Sequence, residues 1–359
     1  MVAANDELFA DRENLITPSE PTFSPATFGN RGQVYDGWET RRRREPGHDW
    51  AIVRLGAAGT VREIVVDTAF FVGNYPPEIS VEGTGVEGYP STVELVEAQW
   101  QPLVPRSPAA GDSRNRYPVT AADRITHVRL CLYPDGGVAR LRVYGEAVPD
   151  PRLLAAGPVD LAALENGGRV TDCSNMFYSS PANLLSPGLA RTMGEGWETA
   201  RRRDRNHDWV EISLATSGVV TLAELDTSHF VGNAPGWAAL TGRAPSRPDW
   251  QELLPRVRLQ PDTRHRFRLP AGQTEITQAR LDVFPDGGLA RLRLYGQPTE
   301  DGWSALALRW FNHLPGPQAE AVLRDHGLRD PQRVAAVLQR RPLAAATDLP
   351  EPLRTAARR

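Results

Sequence analysis

The sequence predicts an all-β protein: a tandem duplication of a jelly-roll β-sandwich, followed by a short helical C-terminal tail. Three observations lead to this prediction. Long motifs occur twice in the chain, which indicates an internal repeat. Short runs rich in β-branched and aromatic residues recur between turn signals, as strands do. Helical spacing of apolar residues begins only after about residue 300.

The duplication shows in three pairs of motifs. GWETRRRREPGHDW begins at Gly37 and returns as GWETARRRDRNHDW at Gly196, an offset of 159 residues. DTAFFVGNYP at Asp67 and DTSHFVGNAP at Asp226 keep that offset. YPDGGVARLRVYG and FPDGGLARLRLYG, which begin at Tyr133 and Phe284, are only 151 residues apart. The second copy is therefore shorter, and the missing residues fall between positions 76 and 100. Each copy is large enough to be a domain.

We therefore predict four segments. The first repeat spans residues 1–148, a linker spans 149–164, the second repeat spans 165–298 and the tail spans 299–359. The linker prediction rests on the Pro-rich stretch VPDPRLLAAGPVDL, which lies between the copies.

Strands and turns alternate within each repeat. The predicted strands of the first copy are WAIVRLG, REIVVDTAFF, THVRLCLY and ARLRVYG, and each has a counterpart in the second copy. PDGG occurs in both copies and is a turn signal, because proline fixes φ and glycine allows positive φ. Evenly spaced strands with such turns favour a sandwich. In the tail, Ala and Leu follow helical spacing, and we expect these helices to bury Trp303, Trp310 and Phe311 against the second sandwich or a neighbouring chain.

Composition excludes several classes of function. The net charge of −3 and the sequence pI of about 6.2 give no electrostatic footprint for nucleic acid or an anionic membrane. No stretch approaches the ~20 apolar residues of a spanning helix, and the N-terminus lacks the pattern of a signal peptide. We therefore expect a cytoplasmic protein. All positively charged side chains except histidine are arginine, so a lysine Schiff base is excluded.

The doubled motifs resemble the allantoicase family. The resemblance rests on NDELFADRENLI, on the two GWET…HDW segments, on the two DT…FVGN segments and on the paired PDGG–ARLR–YG segments, and it runs from about Asn5 to Gly296. It implies hydrolysis of allantoate to ureidoglycolate and urea in purine degradation. It also implies two jelly-roll domains of the galactose-binding, discoidin-related class.

Allantoate carries one carboxylate and two ureido groups on a single carbon, so releasing urea breaks a carbon–nitrogen bond there. This reaction needs a cation for the carboxylate, an acid for the departing nitrogen and a base for water. The doubled motif supplies these residue types. We predict His48 and His207 for proton transfer and Glu39 and Glu198 for orienting or activating water. For the substrate carboxylate we predict Arg43 and Arg202, with their neighbours Arg42 and Arg201 as alternates. Asn74 and Asn233 complete the predicted substrate-binding residues.

Structural interpretations compete with these assignments. A run of arginines is often a solvated surface or a set of salt bridges. Trp38 and Trp197 fit a sandwich core better than a substrate platform. If His48 and Asp49 lie in a strand, their side chains point to opposite faces, so adjacency does not make them a dyad. One histidine per copy supplies few ligands for a metal ion, so we predict neither a protein-bound metal nor another cofactor.

The expected partner is the small-molecule substrate allantoate, with neither nucleic acid nor membrane, and the chain is a candidate homo-oligomer. Either repeat, or both, could hold the active site. Two alternatives to the enzyme are a discoidin-like sugar-binding module and an inactive structural paralogue. Release of urea from allantoate would separate them.

Overall fold

The computed structural model describes residues 1–29, 32–272, 274–351 and 353. The chain divides into two compact units. The first unit comprises Met1–Glu146 together with residues 313–315, and the second comprises Ala147–Asn312 and the chain from Gly316 onward.

The first unit is an antiparallel β-structure with one short helix. Its strands are β1 (Ala3–Ala4), β2 (Phe28–Gly29), β3 (Gly32–Gln33), β4 (Trp38–Glu39), β5 (Asp49–Asp67), β6 (Glu78–Thr84), β7 (Gln101–Pro108), β8 (Arg114–Pro118), β9 (Ile125–Tyr133), β10 (Gly137–Val138) and β11 (Arg140–Ala147). Helix α1 (Thr92–Glu97) has a capping box formed by Ser91 and Glu94. It was not predicted, and it lies where the second repeat is shorter.

Strand β5 organises this unit. Its first half pairs with β1 and β9, and its second half pairs with β8 and β11. The pairing with β9 shifts register between Arg54 and Gly59, which lets the strand pass from one layer to the other. Ala51 and Ile64, one from each half, are buried in the same core. The sequence predicted two separate strands here, because the intervening GAAG resembles a turn.

The second unit repeats this architecture. Its strands are β12 (Val159–Asp160), β13 (Arg169–Cys173), β14 (Trp197–Glu198), β15 (Asp208–Asp226), β16 (Trp237–Ala244), β17 (Arg247–Arg258), β18 (Arg264–Arg268), β19 (Ile276–Phe284), β20 (Gly288–Leu289) and β21 (Arg291–Pro298). Helix α2 (Pro151–Leu154) precedes β12. Both lie within the segment proposed as a linker, and β12 pairs with β21.

The geometry of the PDGG turn shows why both of its last two residues are glycine. The backbone of Gly136 has φ +146°, and a Cβ there would meet the Pro76 nitrogen at 2.6 Å. A Cβ on Gly137 would lie 2.0 Å from the buried ring of Phe71. The turn therefore needs glycine at both positions, one for conformation and one for close approach. This approach brings β10 against β4, and it fixes the position of Glu39 opposite Gly137.

The tail forms helices α3 (Glu300–His313), α4 (Gly316–Asp325) and α5 (Pro331–Gln339), as predicted. Trp310 and Phe311 are buried, and Trp303 packs against the core of the second sandwich. The predicted fold class, two β-sandwiches in tandem with a helical tail, is confirmed. None of the helices in the described part of the chain has the length and apolar character needed to cross a membrane.

Candidate active site

The two copies of the GWET segment are held in the same way. Trp38 and Trp197 are completely buried in the two cores, as the structural interpretation predicted. The indole N–H of Trp38 donates to the Asp6 carbonyl at 2.8 Å, and that of Trp197 donates to the Asn175 carbonyl at 2.8 Å. Because Trp and Glu are adjacent on a strand, a buried Trp directs the following Glu away from the core.

Each of these glutamates is hydrogen-bonded to an asparagine from the FVGN loop. The Asn74 amide donates to Glu39 Oε1 at 2.7 Å, and the Asn233 amide donates to Glu198 Oε1 at 2.6 Å. Four of the predicted site residues therefore meet as two equivalent pairs. Burial raises the pKa of Glu39 above its usual value, although the bond from Asn74 acts in the opposite direction. Glu39 is thus suited to hold a proton closer to neutral pH.

The backbone fixes both partners of each pair. Glu39 lies opposite Gly137 in the short β4–β10 ladder, and the Gly137 N–H donates to the Asn74 carbonyl at 2.7 Å. In the second repeat the Gly288 N–H donates to the Asn233 carbonyl at 2.9 Å. The PDGG turn therefore positions the carboxylate and the amide together, which is a reason for the turn motif that the sequence did not show.

Arg43 and Arg202 occupy a different environment from the one expected of carboxylate-binding residues. Arg43 Nη1 lies 2.6 Å from Asp49 Oδ1, and Arg202 Nη2 lies 2.8 Å from Asp208 Oδ1. Both aspartates are about 1% exposed. Each arginine also donates its backbone N–H to the aspartate of the nearby PDGG turn. These buried ion pairs favour a structural role for both arginines.

The neighbouring arginines, Arg42 and Arg201, are available to bind a substrate carboxylate instead. Arg42 and Arg201 are exposed, and neither has a hydrogen-bond or ion-pair partner within the described part of the chain. They precede the buried ion pairs by one residue, so the backbone that carries them is held firmly. A planar guanidinium without a protein partner can bind a carboxylate through two parallel hydrogen bonds.

The two predicted histidines contact groups outside the Glu–Asn pairs, and their contacts differ from each other. The ring of His48 packs 4.9 Å from that of Tyr133, and burial, with the Arg129 charge next in size, lowers its pKa. His207 Nε2 lies 2.9 Å from Asp282 Oδ1, and its ring packs 4.4 Å from Phe284. Among the described residues, neither histidine is hydrogen-bonded to Glu39 or Glu198.

Asp282 was missed by the sequence analysis. It occupies the position of Cys131 in the first repeat, since the two residues have the 151-residue offset of their strands. A carboxylate replacing a cysteine between two otherwise matched strands was the available signal. Arg280 Nε also donates to Asp282 Oδ1 at 3.0 Å, so this carboxylate holds a fixed orientation. The second repeat therefore has a His–Asp pair that the first lacks.

A second duplicated feature lies at the DT…FVGN loop. Phe70 has φ +69° and His229 has φ +72°, a left-handed conformation that costs non-glycine residues roughly 1–2 kcal/mol. In both repeats an aspartate accepts the N–H of the strained residue at 2.8 Å; these acceptors are Asp112 and Asp262. Asp67 and Asp226 are buried at the start of the loops. The described residues contain no group of three or more His, Cys, Asp or Glu placed to hold a metal.

Comparison with known proteins identifies the chain's relatives. The family model for the allantoicase repeat matches residues 1–148 and 159–299. A probable allantoicase of Nocardia farcinica is 58% identical over 299 residues, which cover 83% of this chain and 91% of the relative. The allantoicase of Dictyostelium discoideum is 39% identical over 82% of this chain and 83% of its own length. The chain belongs to the allantoicase family.

A solved allantoicase structure supports the same conclusion. The crystal structure of the Saccharomyces cerevisiae allantoicase is 34% identical and gives a TM-score of 0.72, covering 82% of this chain and 89% of that one. The resemblance read from the doubled motifs is thus confirmed. The residues matched by the family model include the GWET segments and the Glu–Asn pairs of this allantoicase-family chain.

Proposed function

We propose that the chain hydrolyses allantoate to ureidoglycolate and urea, with Glu39–Asn74 and Glu198–Asn233 as the reacting pairs. Membership of the allantoicase family supports the hydrolase over both alternatives, the sugar-binding module and the inactive paralogue. The duplicated Glu–Asn hydrogen bond is the observation that supports this location for the chemistry.

One glutamate acts first as the general acid and then as the general base, so it ends the reaction in its starting protonation state. The Glu39 carboxyl donates its proton to the nitrogen that leaves as urea, while the other ureido nitrogen pushes electrons to the central carbon. Water then adds to that carbon, and the carboxylate takes the water proton back. The Asn74 amide occupies Oε1, so the proton resides on Oε2 and has a defined direction. The raised pKa of Glu39 helps it to be protonated at the start.

The other predicted site residues have supporting roles in this proposal. Arg42 and Arg201 bind the substrate carboxylate, whereas Arg43 and Arg202 hold the segment in place through Asp49 and Asp208. His48 and His207 remain alternative candidates for proton transfer, because among the described residues neither is hydrogen-bonded to Glu39 or Glu198. No metal or other cofactor enters the proposed mechanism.

We also propose that the chain acts in the cytoplasm as a homo-oligomer. Support for self-association comes from large apolar side chains around the Glu198–Asn233 pair. Phe177, Tyr178 and Val231 are each about two-thirds exposed, and the Tyr178 N–H donates to the Glu198 carbonyl. Exposed apolar clusters of this kind are typical of interfaces.

The test measures urea release from allantoate by Glu39→Gln, Glu198→Gln and the double variant. Loss of a general acid–base group lowers kcat by about 10²–10⁴. We expect that loss in the variant of whichever repeat carries the chemistry, and in both single variants if the two sites are equivalent. Glu45→Gln is the matched control, since Glu45 is an exposed carboxylate in the same segment. Wild-type kcat in the folded double variant would refute the proposed location.

A further inference from the structure

A cleft of about 410 Å³ opens at the DT…FVGN loop of the first repeat. Asp67, Phe70, Asp112 and Arg114 line it, and Glu20 reaches it from the segment that precedes β4. The volume is sufficient for a small organic molecule. Glu20, Asp112 and Arg114 are not among the site residues predicted from the sequence.

Arg114 is the cation of this cleft, and it has two unequal partners. Its Nε lies 3.3 Å from Asp67 Oδ2, and the Asp67 side chain is only 6% exposed. Its Nη2 forms an ion pair with Glu20, whose side chain is 74% exposed. Exposed ion pairs contribute roughly 0–1 kcal/mol, so the contact with Glu20 is easily exchanged. A ligand carboxylate that replaced Glu20 would leave the net charge around Arg114 unchanged.

The remaining groups of the cleft favour N–H donors. Asp112 Oδ1 accepts the Phe70 N–H at 2.8 Å, and Asp67 Oδ1 accepts the Ala69 N–H at 2.9 Å. Their carboxylates repel a second anionic group and can accept further hydrogen bonds. The ring of Phe70, which stacks on Phe23 at 5.6 Å between centroids, adds an apolar wall. A planar group rich in N–H donors fits these acceptors.

The second repeat differs at the equivalent positions. Arg264 corresponds to Arg114, and it pairs with Glu224, a buried carboxylate whose Oε1 lies 2.7 Å from Arg264 Nη2. The first repeat has Val65 at the position of Glu224. His229 replaces Phe70, and its Nε2 hydrogen-bonds with the Ala190 carbonyl at 3.0 Å.

Loop length also differs between the repeats. The chain from Thr17 to Gly37 in the first repeat corresponds to the shorter stretch from Ser186 to Gly196 in the second. The longer loop of the first repeat supplies Glu20. Besides the buried Asp67, Arg114 therefore has an exchangeable surface carboxylate as a partner, whereas Arg264 pairs with the buried Glu224.

We propose that this cleft binds a small monocarboxylate bearing ureido groups, with Arg114 taking the carboxylate in place of Glu20 and Asp67 and Asp112 accepting the ureido N–H bonds. Allantoate belongs to this chemical class, so the inference rests on the proposed function. The cleft is a binding site in addition to the one at the Glu39–Asn74 pair, where Arg42 binds the substrate carboxylate. Glu20 is then a competitor that occupies Arg114 when no ligand is bound.

Titration calorimetry with hydantoate, which has one carboxylate and one ureido group, tests the cleft without turnover. We expect Arg114→Gln to weaken binding by about 10-fold to 100-fold, since a charge-assisted hydrogen bond is lost. Arg264→Gln is the matched control and should leave the affinity unchanged. Glu20→Gln should tighten binding by severalfold, because it removes the competing carboxylate from an exposed position where folding is unaffected. Propionate, which has no ureido group, should bind more weakly than hydantoate.

The outcomes separate this inference from the proposed function. Equal hydantoate affinity in wild type, Arg114→Gln and Glu20→Gln would overturn the cleft, whatever the result for allantoate hydrolysis. Arg114-dependent binding in a wild-type chain that releases no urea would support the cleft and refute the proposed function. Melting curves of Arg114→Gln guard against a folding defect, and Glu20→Gln keeps the test decisive if Arg114→Gln does not fold.

Discussion

Replacing Arg43 by methionine should destabilise the first repeat rather than weaken substrate binding. Arg43 lies 2.6 Å from Asp49, whose side chain is 1% exposed. Without Arg43, the Asn5 amide at 2.9 Å is the one hydrogen-bond donor that Asp49 Oδ1 keeps among the described residues. Removing one partner of a buried ion pair costs about 3–5 kcal/mol. For a domain of this size each kcal/mol lowers the Tm by about 2–4 °C, so we expect a fall of about 6–20 °C.

The assay combines differential scanning calorimetry with steady-state urea release. Arg42→Met is the matched control: its stability should change by less than about 0.5 kcal/mol, and its KM for allantoate should rise. A double variant, Arg43→Met with Asp49→Leu, should recover much of the lost stability, because it leaves no unpaired buried charge. Wild-type melting of Arg43→Met together with a raised KM would refute this reasoning and make Arg43 the carboxylate-binding residue.

Four further predictions follow from burial, charge and the tail. Burial raises the pKa of Glu39 in the folded state, so the charged carboxylate destabilises the fold at neutral pH. Glu39→Gln should therefore have a higher Tm than wild type at pH 7. This difference in Tm should vanish below about pH 4, where Glu39 is protonated in the unfolded chain as well. Burial and the Arg54 charge lower the pKa of His127 to about 4. Between pH 6.5 and 4 the unfolded chain therefore binds a proton at His127 more readily than the folded chain, and the free energy of unfolding falls by about 3 kcal/mol as the pH is lowered through this range. The second repeat has Gln278 at this position. The variant His127→Gln should therefore lose this part of the acid sensitivity, measured by denaturation at a series of pH values. Urea release should survive prolonged dialysis against EDTA, and activity that is lost and then restored by a divalent metal would contradict the mechanism. Truncation after Gln297 should leave both sandwiches folded by circular dichroism and can change the assembly state by sedimentation; outright unfolding would show that the helices belong to the core.

The fold was largely predictable, because alternation of apolar and polar residues indicates strands with one buried face and the doubled PDGG motifs indicate turns. Both strand sets, the buried Trp38 and Trp197 and the helical tail followed from these patterns. The merging of two predicted strands into β5 did not, since a Gly-rich bend within a strand has the same composition as a turn. Helix α1 was also missed, because six residues are too few for helical periodicity to show.

The candidate site was less predictable because it depends on side-chain directions in loops. The sequence prediction favoured Arg43 and kept its neighbour Arg42 as an alternate, whereas the fold buries the partner of Arg43 and leaves Arg42 exposed. Glu39 and Asn74 are 35 residues apart, and only the β4–β10 ladder brings them together. Likewise, the pairing of His207 with Asp282 depends on which strand ends lie side by side.

Strands β5 and β15 each belong to both layers of their sandwich, and this has a consequence for native-state opening. Separating the layers of a repeat would break backbone hydrogen bonds along the shared strand, so neither layer can open while the other stays intact. Amides in the two halves, such as those of Ile52 and Val65, should therefore exchange with solvent deuterium through the same global opening. Each repeat would then behave as a single cooperative exchange unit, and the loops that carry Glu39, Asn74 and Arg114 would rest on a scaffold without an internal weak layer.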